Sequence, residues 1–167
     1  MNLYAKLQTR ASQQKPIRVA LIGAGKFGSM FLAQAVQTPG MHITGIADLS
    51  PERVQTNLNR IGWEPERTKA TSVEEAIRTG QTFLCEDAMG LIQEEAVELV
   101  IDATGSPAAG IRHALAAIEQ GKHIIMVNVE ADTLAGPLLA EKARKAGVVY
   151  SLAYGDQPAL IAEIVDW

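Results

Sequence analysis

The sequence has one cysteine, few aromatic residues and no excess of positive charge. Cys85 has no second cysteine to pair with, so no internal disulfide can stabilise the fold. Aromatic residues make up only 5% of the 167 residues. Lys and Arg total 15 against 19 Asp and Glu, which gives a net charge of −4. Such a chain is not expected to hold a nucleic-acid backbone. No Cys and His set has the spacing of metal ligands, so no metal is expected either.

The sequence also lacks long hydrophobic runs. Its opening, MNLYAKLQTRASQQKP, has no apolar core of a signal peptide, and no later segment is long enough to cross a bilayer. We therefore expect a cytoplasmic chain with no membrane partner. Hydrophobic residues make up 47% and charged residues 20% of the sequence, which is typical of a globular protein with its core in one domain.

Strand-like and helix-like segments alternate along the chain. Residues 1–15 predict a short helical arm that ends before Pro16. Apolar runs then predict six strands, because parallel strands covered on both faces lack polar alternation; they span residues 17–22, 41–47, 82–85, 98–101, 123–127 and 148–153. Helices are predicted between them, the last over residues 137–146 with Pro137 at its start. This alternation indicates an α/β protein with a doubly wound parallel sheet.

The stretch ALIGAGKFGSM carries the clearest chemical signal. Gly23, Gly25 and Gly28 have the GxGxxG spacing, follow a predicted strand and open a predicted helix. The first glycine would permit a tight turn, the second would let a pyrophosphate approach the backbone, and the third would let the helix pack on the sheet. We therefore predict a cofactor-binding turn that also includes Lys26 and Phe27. The alternative is a glycine turn that binds nothing.

An acidic residue follows this turn at the distance expected for a dinucleotide site. Asp48 lies twenty positions after Gly28, at the end of the second predicted strand. Its carboxylate can accept hydrogen bonds from the adenosine ribose hydroxyls, and its charge would repel the 2′-phosphate of NADP. NAD is therefore the expected cofactor. Ser50 and Arg53 follow closely and keep NADP open as an alternative.

Two further segments follow predicted strands on the edge where open α/β sheets bind ligands. In DATGSP, we expect Ala103, Thr104 and Gly105 to contact the cofactor, the alternative being a plain strand-to-helix turn. In NVEAD, a predicted loop, Asn128 is a candidate for both cofactor binding and catalysis. Glu130 in the same loop could orient a substrate or carry a proton, the alternative being a solvated carboxylate.

The segment YGDQP follows the sixth predicted strand. Asp156 either faces the site as a catalytic candidate or caps the helix predicted after it. Neither His113 nor His123 is assigned to catalysis, because His113 lies among helix residues and His123 begins a strand away from the binding edge.

The sequence resembles a known family in five segments, taken in order: IRVALIGAGKFG, GIADLSPERV, ELVIDATGSP, GKHIIMVNVEAD and AYGDQP. They are similar to the N-terminal NAD(P)-binding domain of homoserine dehydrogenase-like oxidoreductases, in particular the branch with a C-terminal SAF domain. The resemblance implies a Rossmann-type NAD(P)-binding domain over residues 16–155. It also implies that residues 156–167 begin a connection to a second domain with the substrate-binding and catalytic residues, so a truncated chain is expected.

One position departs from that family. Homoserine dehydrogenases carry a lysine after the fifth strand, in a Thr-Ala-Asn-Lys motif, where this sequence has Glu130. A positive charge that helps to place the substrate is thus replaced by a negative one. This replacement argues against homoserine itself as the substrate.

Two functions are compatible with these observations. The resemblance implies the cofactor-binding half of an NAD(P)-dependent dehydrogenase, which transfers hydride to or from a small hydroxy or carbonyl acid and is inactive without the second domain. The alternative is an NAD(H)-binding module for redox sensing or regulation. The arm of about fifteen residues is too short for a regulatory domain, since independent folding usually needs about 40 residues, and this favours the enzyme. A small-molecule substrate is the expected partner, and a homo-oligomer is compatible with the sequence.

Overall fold

A computed structural model describes residues 2–153, 160–161 and 164–165, and its centre is a parallel sheet. The strands are β1 (Ile17–Ile22), β2 (Met41–Ala47), β3 (Phe83–Cys85), β4 (Leu99–Asp102), β5 (His123–Met126) and β6 (Tyr150–Leu152). They lie in the order β3-β2-β1-β4-β5-β6, and every neighbouring pair is parallel. The predicted doubly wound sheet is confirmed, and its strand order reverses between β1 and β4.

Helices connect the strands and cover both faces of the sheet. They are α1 (Leu3–Ser12), α2 (Lys26–Ala35), α3 (Pro51–Arg60), α4 (Val73–Thr79), α5 (Ala88–Gln93), α6 (Pro107–Glu119) and α7 (Val129–Ala146), with a 3-10 turn over Pro65–Thr68. At the start of several helices, the side chain of the N-cap residue accepts a hydrogen bond from a backbone N–H of the first turn. Ser72, for example, accepts a hydrogen bond from the backbone N–H of Glu75 at the start of α4.

The core is divided by the sheet into two layers. Along β1, Val19 and Leu21 face a cluster built with α2 and α3, which supply Leu32 and Leu58. The alternate residues of the same strand face the other cluster, which is built with α4, α5, α6 and α7. Because β1 is buried on both faces, its sequence reads as an unbroken apolar run.

The start of α7 differs from the prediction. The helix begins at Val129, so the segment NVEAD is a helix start and not a loop, and Pro137 lies inside the helix. The Asn128 side chain caps the helix by accepting a hydrogen bond from Ala131 N at 3.1 Å. Glu130 then falls in the first turn, where a negative charge is favourable. Pro137 costs the helix one backbone hydrogen bond without ending it.

Candidate functional site

The first glycine of the GxGxxG turn is required by two features of the backbone. Gly23 follows β1 with φ +89°, a conformation that residues with a side chain rarely adopt. A Cβ at this position would also lie 2.9 Å from the carbonyl oxygen of Ala103, in the segment after β4. The turns after β1 and β4 therefore touch each other, at the point where the strand order reverses.

The other two glycines have different surroundings. A Cβ on Gly28 would lie 2.5 Å from the carbonyl oxygen of Gly23, so this glycine lets α2 pack directly on the turn. A Cβ on Gly25, the N-cap of α2, would meet no protein atom within 4 Å. The protein itself thus explains the glycines at 23 and 28, whereas Gly25 borders open space at the helix N-terminus.

Asp48 connects the end of β2 to the glycine turn. Its Oδ2 accepts a hydrogen bond from Ala24 N at 2.9 Å, and its Oδ1 accepts hydrogen bonds from Ser50 N and from Arg53 Nη2, each at 3.0 Å. The Asp48 side chain is only 8% exposed, while that of Arg53 is 63% exposed. The carboxylate therefore holds the turn in place and has a positive partner at the surface.

A buried polar network shapes the segment after β4. Asp102 is fully buried, and its Oδ1 accepts hydrogen bonds from Thr104 N at 3.2 Å and from Thr104 Oγ1 at 2.8 Å. Its Oδ2 lies 2.6 Å from His113 Nδ1 on α6. The amide of Asn128 donates to Thr104 Oγ1 at 3.1 Å and to Ser106 O at 2.9 Å. These contacts fix the backbone that faces the glycine turn.

A cavity of about 480 Å³ lies over the carboxyl ends of β1, β2 and β4. The predicted cofactor-binding residues that line it are Gly23, Gly25, Asp48, Ala103, Thr104 and Gly105. Small apolar side chains, among them Ala47, Ala88 and Ala109, line much of the remainder. Ligand sites typically combine an apolar lining with a few polar groups, and this cavity has that composition.

The remaining predicted residues lie elsewhere. Lys26 borders a neighbouring hollow between α2 and α3, and Phe27 is 41% exposed on the first turn of α2. Asn128 is buried with its amide engaged by the protein, whereas Glu130 is exposed. Asp156 lies outside the described residues, as does most of the segment 156–167.

Three cavity residues with titratable side chains were not predicted from the sequence: Glu86 after β3, and Arg112 and His113 on α6. His113 was set aside because it lies within a helix. The signal that could have found it is Asp102, since a carboxylate at the buried end of a strand needs hydrogen-bond donors from neighbouring elements.

Cys85 has the surroundings of a packing residue. It is partly buried at the end of β3, against the layer built with α4 to α7. Burial raises the pKa of the Cys85 thiol to about 11, and the charges of Asp87 and Glu94 act in the same direction. A thiol with this pKa carries little thiolate at neutral pH and is a poor nucleophile.

The described parts of the chain have neither a cluster of metal-binding side chains nor a helix that could span a membrane. In these parts of the chain, no group of three or more His, Cys, Asp and Glu side chains is placed to hold a metal ion. None of the described helices combines the length and apolar character that a membrane span requires.

This geometry agrees with the family to which the sequence is matched. Residues 17–130 match the oxidoreductase family GFO_IDH_MocA, which has an NAD-binding Rossmann fold. The match spans more than half of the chain, and the chain belongs to this family.

Individual relatives are more distant. The 1-deoxy-D-xylulose 5-phosphate reductoisomerase of Pseudomonas fluorescens is 30% identical over 89 residues, which are 51% of this chain and 22% of the relative. A homoserine dehydrogenase structure from Thiobacillus denitrificans has a TM-score of 0.63 at 16% identity, over 83% of this chain and 29% of that chain. A biliverdin reductase structure from Synechocystis, with biliverdin and NADP+, has a TM-score of 0.63 at 18% identity, over 83% of this chain and 38% of that chain. These two structures support the fold alone, and this chain spans less than half of each.

Proposed function

We propose that this chain is the cofactor-binding part of a nicotinamide-dependent oxidoreductase. The observation that carries the proposal is the cavity between the turns after β1 and β4, because it joins the glycine turn, Asp48 and the N-terminus of α2. Open α/β sheets bind dinucleotides at this reversal of strand order. The reaction proposed for the whole protein is hydride transfer to or from a small hydroxy or carbonyl acid, as in the homoserine dehydrogenases that the sequence resembles.

The residues present fit a dinucleotide. The first N–H groups of α2 have no acceptor within the helix, and together with the helix dipole they favour a pyrophosphate. Gly25 leaves that approach open, since a Cβ there would project into space that no protein atom fills. When bound, the nicotinamide ring would supply or accept the hydride. The chain's own residues would bind the phosphates, hold the ribose and orient the ring.

The proposed preference between the two nicotinamide cofactors rests on Asp48. Its carboxylate would repel a 2′-phosphate, which favours NAD. Arg53 opposes this effect, because its guanidinium pairs with Asp48 at 3.0 Å and remains largely exposed at the cavity rim. We propose NAD as the preferred cofactor, with NADP bound less tightly.

Removing the charge of Asp48 is expected to narrow this preference. In the Asp48→Ser variant, the ratio of NADP to NAD dissociation constants should fall by about fivefold, because a like-charge repulsion near the surface is worth about 1 kcal/mol. Arg53→Gln is the matched variant and should change the ratio in the opposite direction. Competitive titration with both cofactors measures each ratio. Tighter binding of NADP by the unaltered chain would contradict the proposed preference.

On the substrate side, Glu130 remains the proposed acid, base or orienting group. It is exposed on the first turn of α7, directly after β5, so it can reach a ligand at this edge of the sheet. Asn128 is proposed to act by holding Thr104 and Ser106, since its amide donates to both segments. Asp156 stays a proposed catalytic residue from the sequence alone.

Turnover by a whole protein that contains this chain tests the proposed reaction. We expect oxidation or reduction of nicotinamide with a member of a panel of small hydroxy and carbonyl acids, followed by cofactor absorbance. Glu130→Gln should lower kcat by roughly a hundredfold, the usual range for a general acid or base, while the dissociation constant of NADH stays unchanged. Unchanged kcat in this variant would show that Glu130 is a solvated helix residue without a role in catalysis.

A further inference from the structure

His113 presents one ring nitrogen to the cavity. Its side chain is 9% exposed and belongs to the cavity lining, although it is set on the second turn of α6. Its Nδ1 contacts Asp102 Oδ2 at 2.6 Å. Among the described residues, no protein atom makes a hydrogen bond to its Nε2. Every buried side-chain nitrogen or oxygen of the described residues has a hydrogen-bond partner, so an atom without one is not buried. The Nε2 atom is therefore open to the cavity.

The buried carboxylate determines how this ring can be used. Asp102 is fully buried, and its other oxygen already accepts hydrogen bonds from both the backbone and the hydroxyl of Thr104. An ionised carboxylate has no hydrogen to donate. In the hydrogen bond between the two side chains, His113 Nδ1 is therefore the donor and Asp102 Oδ2 the acceptor. In the neutral imidazole, Nε2 is then a hydrogen-bond acceptor. In this form the cavity lining offers Nε2 as an acceptor that Asp102 holds in place.

His113 lies on α6, after β4, but shares its cavity with residues from the first half of the sheet. The same cavity is lined by Asp48 after β2 and Glu86 after β3, and none of its described lining residues lies in β5, β6 or α7. The first half of this type of sheet binds the adenosine half, with the acidic residue after β2 on its ribose. Alanines 47, 88, 103 and 109 also line the cavity and leave room for a flat base.

We propose that His113 recognises the adenine base through Nε2, which accepts a hydrogen bond from the exocyclic amino group. This inference rests on the proposed function, because it assumes that the cavity binds a nicotinamide adenine dinucleotide. Asp102 acts as a positioning residue that keeps the accepting nitrogen turned toward the base. Glu86 and Arg112 line the same cavity, so the test must isolate the contribution of the imidazole.

A cofactor analogue that lacks the amino group provides this test. Reduced nicotinamide hypoxanthine dinucleotide carries a carbonyl oxygen in that position, which would face the accepting nitrogen without a hydrogen between them. We expect the unaltered chain to bind NADH roughly fivefold more tightly than this analogue, the effect of one net hydrogen bond. In His113→Asn the preference should disappear. Asparagine keeps a donor at the δ position for Asp102 and lacks the outer part of the ring, which carries the ε nitrogen.

His123→Asn is the matched control, because His123 is exposed at the start of β5 and does not line the cavity. It should leave the preference for NADH unchanged. If His113 were only structural, His113→Asn would weaken both ligands equally and the preference would persist, which would overturn the inference. Binding of NADH without preference by the unaltered chain would overturn it as well, with the proposed function intact. Absence of NADH binding would instead contradict the proposed function, and this inference with it.

Discussion

Gly25→Val is expected to weaken NADH binding by roughly a hundredfold or more while the fold persists. The valine side chain would extend into the space beside the N-terminus of α2, where a pyrophosphate would otherwise accept hydrogen bonds from the backbone. Losing two charge-assisted hydrogen bonds, worth about 1.5 kcal/mol or more each, corresponds to this decrease. Isothermal titration calorimetry measures the affinity directly.

The structure also predicts that this variant stays folded. Since a Cβ at position 25 meets no protein atom within 4 Å, the substitution causes no steric conflict within the chain. The cost in stability should remain near 1 kcal/mol, the usual loss when valine replaces a favourable N-cap residue. Thermal unfolding in the absence of ligand checks this value. Undiminished NADH binding by a folded Gly25→Val variant would show that no phosphate lies at this turn.

Gly28→Ala is expected to have the opposite pattern, a net loss of stability of about 1 kcal/mol. The added Cβ would lie 2.5 Å from the carbonyl oxygen of Gly23, so α2 would have to move away from the turn. Overpacking of this kind typically costs about 1 to 3 kcal/mol. The cost should exceed the gain of about 1 kcal/mol that alanine brings to a helix interior.

Urea unfolding of Gly28→Ala, compared with Gln34→Ala on an exposed position of the same helix, measures this effect. The control should change the free energy of unfolding by only a few tenths of a kcal/mol, as surface substitutions usually do. A Gly28→Ala variant as stable as the unaltered chain would show that the turn and the helix can separate at no cost.

The parts of the fold that were predicted correctly depend on local signals. Each of three features can be recognised from a few neighbouring positions in the sequence: the strand before Gly23, the helix after it and the acidic residue at the end of β2. Together they identified the sheet and the turn. The start of α7 was misplaced for the same reason, because Pro137 resembles a first-turn proline while the actual cap is Asn128.

The parts of the site that were missed depend on contacts across the fold. His113 meets Asp102 because α6 folds back beside β4, and neither residue alone indicates the pair. Asn128 was expected to contact the cofactor, yet its amide donates to protein atoms of the segment after β4. Similarly, nothing local indicates that the Asp48 carboxylate also accepts a hydrogen bond from Ala24 N, in the turn after β1.

Equilibrium titration of the unaltered chain with NADH tests the central claim most directly. The account predicts saturable binding at one site per chain. ADP-ribose should displace the cofactor, because it carries the adenosine and the pyrophosphate that the cavity and the glycine turn are proposed to hold. Nicotinamide mononucleotide, which lacks the adenosine half, should compete weakly. Absence of saturable NADH binding by a folded chain, or binding that ADP-ribose does not displace, would contradict the account.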